Sequence, residues 1–536
     1  MANLIFYNGK IYTMAGEETV SAVAVKDGLI EAVGNDVDIL SLAEENCGKI
    51  DLKGACMVPG FNDSHCHLLL TGLGYERLEL RNVRSLDEIV EKGRRYIAEK
   101  KIPAGTWIVG GGYDHNVFAD PKLPDGALLD RISTEHPIMI ERVCGHVGAA
   151  NTLAMKLADF DKNTKMPGGN VELDEEGNPT GVLWESALDA FKRRIPAPET
   201  AECRRAIMAA AGAANSFGIT SVQTDDLEGA PLDTVMEAYS QLEQEGTLTL
   251  RINEEVQSPR PPVLREFLKR GLRTGDGTDF FKIGNIKLIT DGSLGARSAY
   301  MREDYADAPG NRGIAVYTQE ELDEVVSIAH KAGMQVACHA IGDGAVEQCV
   351  HAFRKAYEEE PKELRHRIVH CQFGDKKLFD MMAEYHIAAD IQPPFTASDM
   401  SLTAPRLGER ENLGYCWKTM HDTGILLGGG SDSPVETMNP LWGIYCAVTR
   451  TDEDGNPAGG WHPGEKLSVW EAVSIYTKGG AALSLEENKK GMIREGFLAD
   501  FAVLSDDIFE LEPERIKDVT VERTVVGGKT VYLRVR

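Results

Sequence analysis

Apolar and polar residues alternate from Leu4 to Met14 and again from Ala22 to Val33, in short runs interrupted by Asn8-Gly9 and Asp27-Gly28. Alternation with a period of two, broken by Asx-Gly pairs that tolerate positive φ, predicts β-hairpins. The same pattern returns in Asp500 to Leu504 and in Thr520 to Leu533, around Gly527-Gly528. Each terminal piece is too small to bury a core alone. The two are therefore expected to pack together as one satellite β domain, residues 1–57 with 488–536.

Between them the pattern changes to strand, helix, strand. Met57 to His67, Gly218 to Asp225, Leu248 to Val256, Phe281 to Thr290, Met334 to Ala340, His366 to Gln372, Ile387 to Gln392 and Gly424 to Ser431 are apolar, β-rich runs. Helical segments separate them. Thr318-Gln319-Glu320-Glu321 is a capping box, followed by Leu322, Val325, Val326 and Ala329 at helical spacing, with Gly333 as the stop. Eight strands alternating with helices predict an α/β chain with a (β/α)8 barrel over residues 58–487. Residues 68–217 separate the first two strands and hold strand-like runs of their own, Trp107 to Gly112 and Pro137 to Val143. Residues 75–200 are read as an insertion near the active-site mouth.

Composition narrows the function. The chain has 57 Lys and Arg against 84 Asp and Glu, a formal net charge of −27, so nucleic acid and anionic membrane surfaces are not expected partners. A small-molecule substrate is. With 42% hydrophobic and 26% charged residues the chain is globular rather than disordered. The start, MANLIFYNGK, lacks the apolar stretch of an export signal, and no run approaches the roughly 18 apolar residues of a membrane span. A cytoplasmic location is expected, and a homodimer is the base-rate assembly. Ten cysteines without CxxC spacing read as reduced thiols.

Candidate chemistry lies at the strand ends. In Pro59-Gly60-Phe61-Asn62-Asp63-Ser64-His65-Cys66-His67, alternation turns His65 and His67 to one side, where two imidazoles can share a divalent ion. His339 ends MQVACHAIGD, His370 ends RIVHCQ, and Asp432 follows GILLGGGSD, each where barrel enzymes place reacting groups. Nitrogen and carboxylate oxygen donors suit zinc and similar ions. In KIGNIKLITDG, Ile283, Asn285, Lys287 and Ile289 share a face of the fourth strand. An inward Lys287 would be a costly buried cation that carbamylation could convert to a bridging anion; an outward Lys287, or one paired with Asp291, is the alternative. Glu185, in TGVLWE, is the rival bridging carboxylate.

The motifs HCH after PGF, CHAIGDGA, IVHCQ, GSDSP and the closing GMIREGFLADFAVL resemble the amidohydrolase superfamily. KLITDGSLGARSA, GGGYDHN and GHVGAAN resemble its branch containing N-substituted formamide deformylases. The resemblance spans nearly the whole chain. It implies a (β/α)8 TIM barrel with a β-sandwich built from both termini. Carried over by position, it implies one or two divalent ions, zinc first. His65 and His67 would bind the more buried ion, His339 and His370 the more exposed one, and Lys287 would bridge as a carbamate. Asp432 would bind metal and act as base.

These groups predict hydrolysis of a non-peptide C-N bond, amide or formamide-like. The ion acidifies water and polarises a carbonyl, and Asp432 carries the proton from that water to the leaving nitrogen. A metal-dependent lyase or isomerase on the same barrel is the alternative, as is a non-catalytic small-molecule binding protein. Tyr113, Asp114, His146 and Arg297 are candidate substrate contacts, His146 first because it sits in a Gly-rich loop after a strand-like run. Gly110-Gly111-Gly112 and Gly428-Gly429-Gly430 lack the context of a nucleotide-binding loop and read instead as points of close backbone approach.

Overall fold

The computed structural model describes residues 2–164 and 166–535. Two compact units emerge, Met1–Gly72 with Glu199–Arg536, and Leu73–Pro198. The chain is α/β, and a nearly closed barrel of eight parallel strands lies at the centre of the first unit. The strands are β1 (Phe61–Cys66), β2 (Ile219–Thr224), β3 (Arg251–Gln257), β4 (Phe281–Ile289), β5 (Val336–Ala340), β6 (Arg367–His370), β7 (Ala388–Ile391) and β8 (Leu427–Gly429). They are hydrogen-bonded in chain order from β1 to β8. Helices fill the connections, among them Leu232–Gln244, Asp343–Glu359 and Lys376–Glu384. The capping box forms as expected. Thr318 Oγ1 accepts from the Glu321 N–H, the Glu321 carboxylate accepts from the Thr318 N–H, and the helix Gln319–Lys331 follows.

The apolar run Met57 to His67, read above as one strand, is two. Cys56–Pro59 pairs with Lys10–Tyr12 and Phe501–Leu504, in a sheet drawn from both ends of the chain. The chain then passes Gly60 and enters the barrel as β1. A Cβ on Gly60 would lie 2.2 Å from Thr220 Oγ1, so glycine lets the chain pass close to the side chain of Thr220 on β2 as it changes sheet. Hydrophobicity continues across the junction because both strands are buried, which hides the change of sheet.

The terminal strands form two sheets, one of four strands and one of six. Phe6, Ile11, Val23, Met57, Phe501 and Val525 are among the apolar side chains of their shared core. Arg251, at the start of β3, binds Asp500 through two hydrogen bonds of 2.7 and 2.9 Å and ties the barrel to this region. The barrel interior is filled differently. Gln223, Glu255, Asn285, Arg367 and Asp390 have no exposure. Lower down, Glu486 is held by Lys282 and by Lys490 at 2.6 Å, and Lys490 Nζ also donates to Ser221 Oγ at 2.6 Å.

The unit Leu73–Pro198 has a six-stranded mixed sheet in the order Gly169–Leu173, Pro179–Glu185, Val147–Ala150, Ile138–Arg142, Ile108–Tyr113, Leu78–Glu79. Apolar clusters pack around it, one including Leu80, Ile89, Ile108 and Ile140, another including Met139, Leu183 and Phe191. Among the described residues no helix is long and apolar enough to cross a membrane. All ten cysteines are free thiols.

Candidate active site

The C-terminal ends of the barrel strands bring His65, His67, Lys287, His339, His370 and Asp432 together. Two backbone bonds join the end of β1 to the loop after β8. The Asp432 N–H donates to the His65 carbonyl and the His67 N–H to the Ser433 carbonyl, both at 2.8 Å. Gly430 permits this approach, since a Cβ there would lie 2.8 Å from the His65 nitrogen. Asp432 and His370 sit at φ 56° and 72°, in the left-handed region that non-glycine residues avoid. Strain of that kind persists where surrounding contacts fix a side chain for a task.

Asp432 Oδ1 lies 3.2 Å from His67 Nε2 and 3.4 Å from His65 Nε2. The His370 ring centroid is 5.8 Å from that of His65 and 4.5 Å from that of His339. Donor atoms of His65, His370 and Asp432 all fall within 4.8 Å of one another, a grouping that crosses the two pairs implied by the resemblance. Each imidazole is anchored on its outer side. His67 Nδ1 is 2.9 Å from the Asp225 carbonyl, His370 Nδ1 2.7 Å from Gln392 Oε1, His339 Nε2 3.2 Å from the Gly292 carbonyl, and His65 Nδ1 3.3 Å from Glu255 Oε2. In a neutral ring the nitrogen that faces an oxygen acceptor carries the proton and the other keeps its lone pair; His67 faces acceptors through both nitrogens, Asp225 on one side and Asp432 on the other. Phe395 stacks on His370 at 5.8 Å and helps hold that ring. Metal-binding histidines are oriented in this manner.

Lys287 is buried and turned inward, with Nζ 2.9 Å from His65 Nε2 and 3.5 Å from Glu255 Oε2. The alternative pairing with Asp291 does not form. Asp291 instead accepts from the backbone N–H groups of Tyr300, Ile341 and Gly342 and lies 3.4 Å from His339 Nε2.

Charges in this cluster shape one another. Burial disfavours a charged His67, but the Asp432 carboxylate more than offsets it and raises its pKa to about 9. Burial works against the charge of Asp432 too, yet His67 and its neighbouring imidazoles hold it well below the usual carboxylate range. Burial, with Lys287 nearby, lowers His339 to about 4. His370 is pushed well down by burial and by His339. These two rings are neutral at pH 7, the state in which an imidazole can donate a lone pair to a cation. At the rim beside His67, burial lifts Asp225 to about 6.

Arg297, after β4, is engaged by Asp307 through two hydrogen bonds of 2.9 and 2.8 Å. In the other unit, Tyr113 is buried, and Asp114 caps the short turn His115–Val117 and pairs with Arg142 at 2.7 Å. Glu185 is exposed with a backbone φ of 51°, and its carboxylate meets His146 Nδ1 at 3.0 Å. The two motifs the sequence presented separately thus form one pair within that unit.

Sequence reasoning missed Glu255, Arg367 and Gln392. In Arg251–Gln257 the alternate positions Arg251, Asn253, Glu255 and Gln257 are all polar, a face that water would normally solvate. Here Arg251, Asn253 and Glu255 are buried and Gln257 is half-buried. An all-polar face in the middle of a β/α series was the available signal.

A parallel barrel whose rim gathers four anchored imidazoles and a carboxylate has the architecture of a metal-dependent hydrolase. The chain belongs to the amidohydrolase family, whose model matches residues 49–532. YtcJ of Bacillus subtilis is 34% identical over 98% of this chain and 99% of its own length. Protein LONG AFTER FAR-RED 3 of Arabidopsis thaliana is 31% identical over 99% of this chain and 92% of its own. The N-substituted formamide deformylase of Arthrobacter pascens is 24% identical over 100% and 99%. A crystal structure described as an uncharacterized metal-dependent hydrolase from Pyrococcus furiosus has a TM-score of 0.80 and 30% identity, covering 95% of this chain and 100% of that one.

Proposed function

We propose that the protein hydrolyses an amide-like C-N bond of a small molecule, with formamides as the leading substrate class. The observation that carries this reading is the set of four imidazoles, each anchored through one nitrogen and clustered around Asp432. The convergence of imidazole nitrogens and a carboxylate oxygen on one rim supports a divalent ion held by His65, His67, His339, His370 and Asp432. Such N and O donors favour zinc. When bound, the ion acidifies water toward neutrality and polarises a carbonyl oxygen.

The chain's own groups do the rest. Asp432 Oδ1 takes the proton of the attacking water and passes it to the leaving nitrogen. His67 Nε2 lies 3.2 Å from that oxygen, so the two side chains converge on one point of the rim. The buried amine of Lys287 suits carbamylation, since added carbon dioxide would replace a poorly solvated cation with an anion offering two oxygens to cations. The deformylase relative supports the C-N assignment, and the buried rim supports a substrate small enough to enter it.

The test strips the protein with a chelator, reloads it with zinc, manganese, iron or cobalt, and assays N-formyl, N-acyl and cyclic amides. Amine release that is lost with the ion and restored by it is the expected result. A rearranged product without amine release would assign the site to lyase or isomerase chemistry, and tight binding without turnover to a binding protein. Intact-mass measurement of fresh protein checks Lys287 for the added mass of carbon dioxide.

A further inference from the structure

Glu255 stands outside the ligand set that the sequence points to, yet that set leans on its carboxylate. It lies on β3 without exposure. One oxygen, Oε1, accepts from Arg367 and from Asn285 Nδ2 at 3.1 Å. Arg367 is itself unexposed, donates to Gln223, and lies 3.6 Å from Asp390 Oδ2, so it has no freedom to release Glu255. The other oxygen, Oε2, makes no conventional hydrogen bond and faces His65 Nδ1 at 3.3 Å and Lys287 Nζ at 3.5 Å. Strands β1, β3, β4 and β6 thus meet at one carboxylate. Apolar packing does not require it, because barrels of this kind are ordinarily filled by Val, Ile and Leu. A carboxylate is costly to bury unless each oxygen is used.

We propose that Glu255 is a positioning residue of the reaction centre. Clamped by Arg367 and Asn285, it holds the Nδ1 proton of His65, so that Nε2 keeps its lone pair, toward which Lys287 Nζ points at 2.9 Å, and it keeps Lys287 on the same side of the barrel. The effect on ion binding rests on the functional reading above. The orientation of His65 does not, and the two can fail separately.

The first measurement uses metal-free wild-type protein and reads the imidazole nitrogen chemical shifts of His65, assigned by their loss in His65→Gln. A proton on Nδ1 is expected, and a proton on Nε2 would overturn the proposal. The second compares Glu255→Gln with the double variant Glu255→Gln/Arg367→Met, which removes both charges of that pair together, so that Arg367 is not left facing a neutral side chain. Loss of an outer partner of a metal ligand typically weakens ion binding about 10- to 100-fold, and that drop is expected for zinc in competition with a chromogenic chelator. A folded double variant that keeps the wild-type zinc affinity and the Nδ1 tautomer would overturn the proposal. Wild-type protein that binds no zinc yet shows the Nδ1 tautomer would sink the ion reading and uphold the orientation.

Discussion

The barrel interior and the core of the terminal sheets are built from the same kind of strand and filled in opposite ways. Phe6, Ile11, Val23, Phe501 and Val525 pack the terminal core. The barrel holds Gln223, Glu255, Asn285, Arg367 and Asp390 without exposure. The first arrangement draws stability from apolar area removed from water and tolerates changes of shape. The second depends on every polar group keeping its partner, because a single removal strands a charge. The terminal core is therefore built for cohesion. The barrel gives up some of that cohesion to fix the direction of the groups at its rim.

Asp432→Asn gives the sharpest separation of the two. Turnover is expected to fall by about 10²- to 10⁴-fold, the usual worth of a positioned acid-base group, while the terminal core stays intact. Unchanged turnover on a substrate found by amine release would remove the role assigned to Asp432. Next come Arg367→Met and Phe501→Ala. Breaking a buried ion pair costs roughly 3–5 kcal/mol, and so does emptying a core phenylalanine site. Urea unfolding should thus show similar losses. Only Arg367→Met should also reduce kcat, and a comparable fall in Phe501→Ala would erase the contrast.

Lower in the barrel, Glu486 gives a pH signature. Burial opposes its charge, but Lys490 and Lys282 outweigh burial and lower its pKa from 4.5 to about 2. The folded pKa lies below the unfolded one, so this stabilisation is complete above pH 4.5 and is lost as pH falls toward 2. The shift corresponds to roughly 3 kcal/mol. Unfolding curves in acid should lose that increment in wild-type protein, and Glu486→Gln should flatten this part of the profile. The smallest effect belongs to Thr318→Ala. Loss of that helix cap costs about 1 kcal/mol and should leave kcat untouched.

Much of the barrel was legible in the sequence because four of its strands end at or beside a residue out of keeping with an apolar run: His67, His339, His370 and Asp432 all mark rim positions. Asp27-Gly28 and Gly527-Gly528 close hairpins as expected, whereas the hairpin expected around Asn8-Gly9 does not form: Ala2–Tyr7 and Lys10–Tyr12 lie in different sheets, and the pair carries the chain from one to the other. The Met57 to His67 run was misread because burial in two successive sheets leaves no polar break, and glycine alone marks the crossing. Lys287 could be placed on a face but not given a direction, since alternation does not say which face is inside. Glu255 was not legible. A glutamate in a strand reads as solvated, and its partner Arg367 lies 112 residues away in the chain. Only the closed ring of strands brings them together.

The strand Cys56–Pro59 sits between Lys10–Tyr12 and Phe501–Leu504 and continues through Gly60 into the strand that bears His65. On the ribosome one of these neighbours is available almost at once, whereas the other emerges only after all eight barrel strands have been made. The anchorage of the first histidines is thus completed by late-arriving chain. The strand that leads into the first histidines is held by segments that lie on opposite sides of the whole barrel in the sequence.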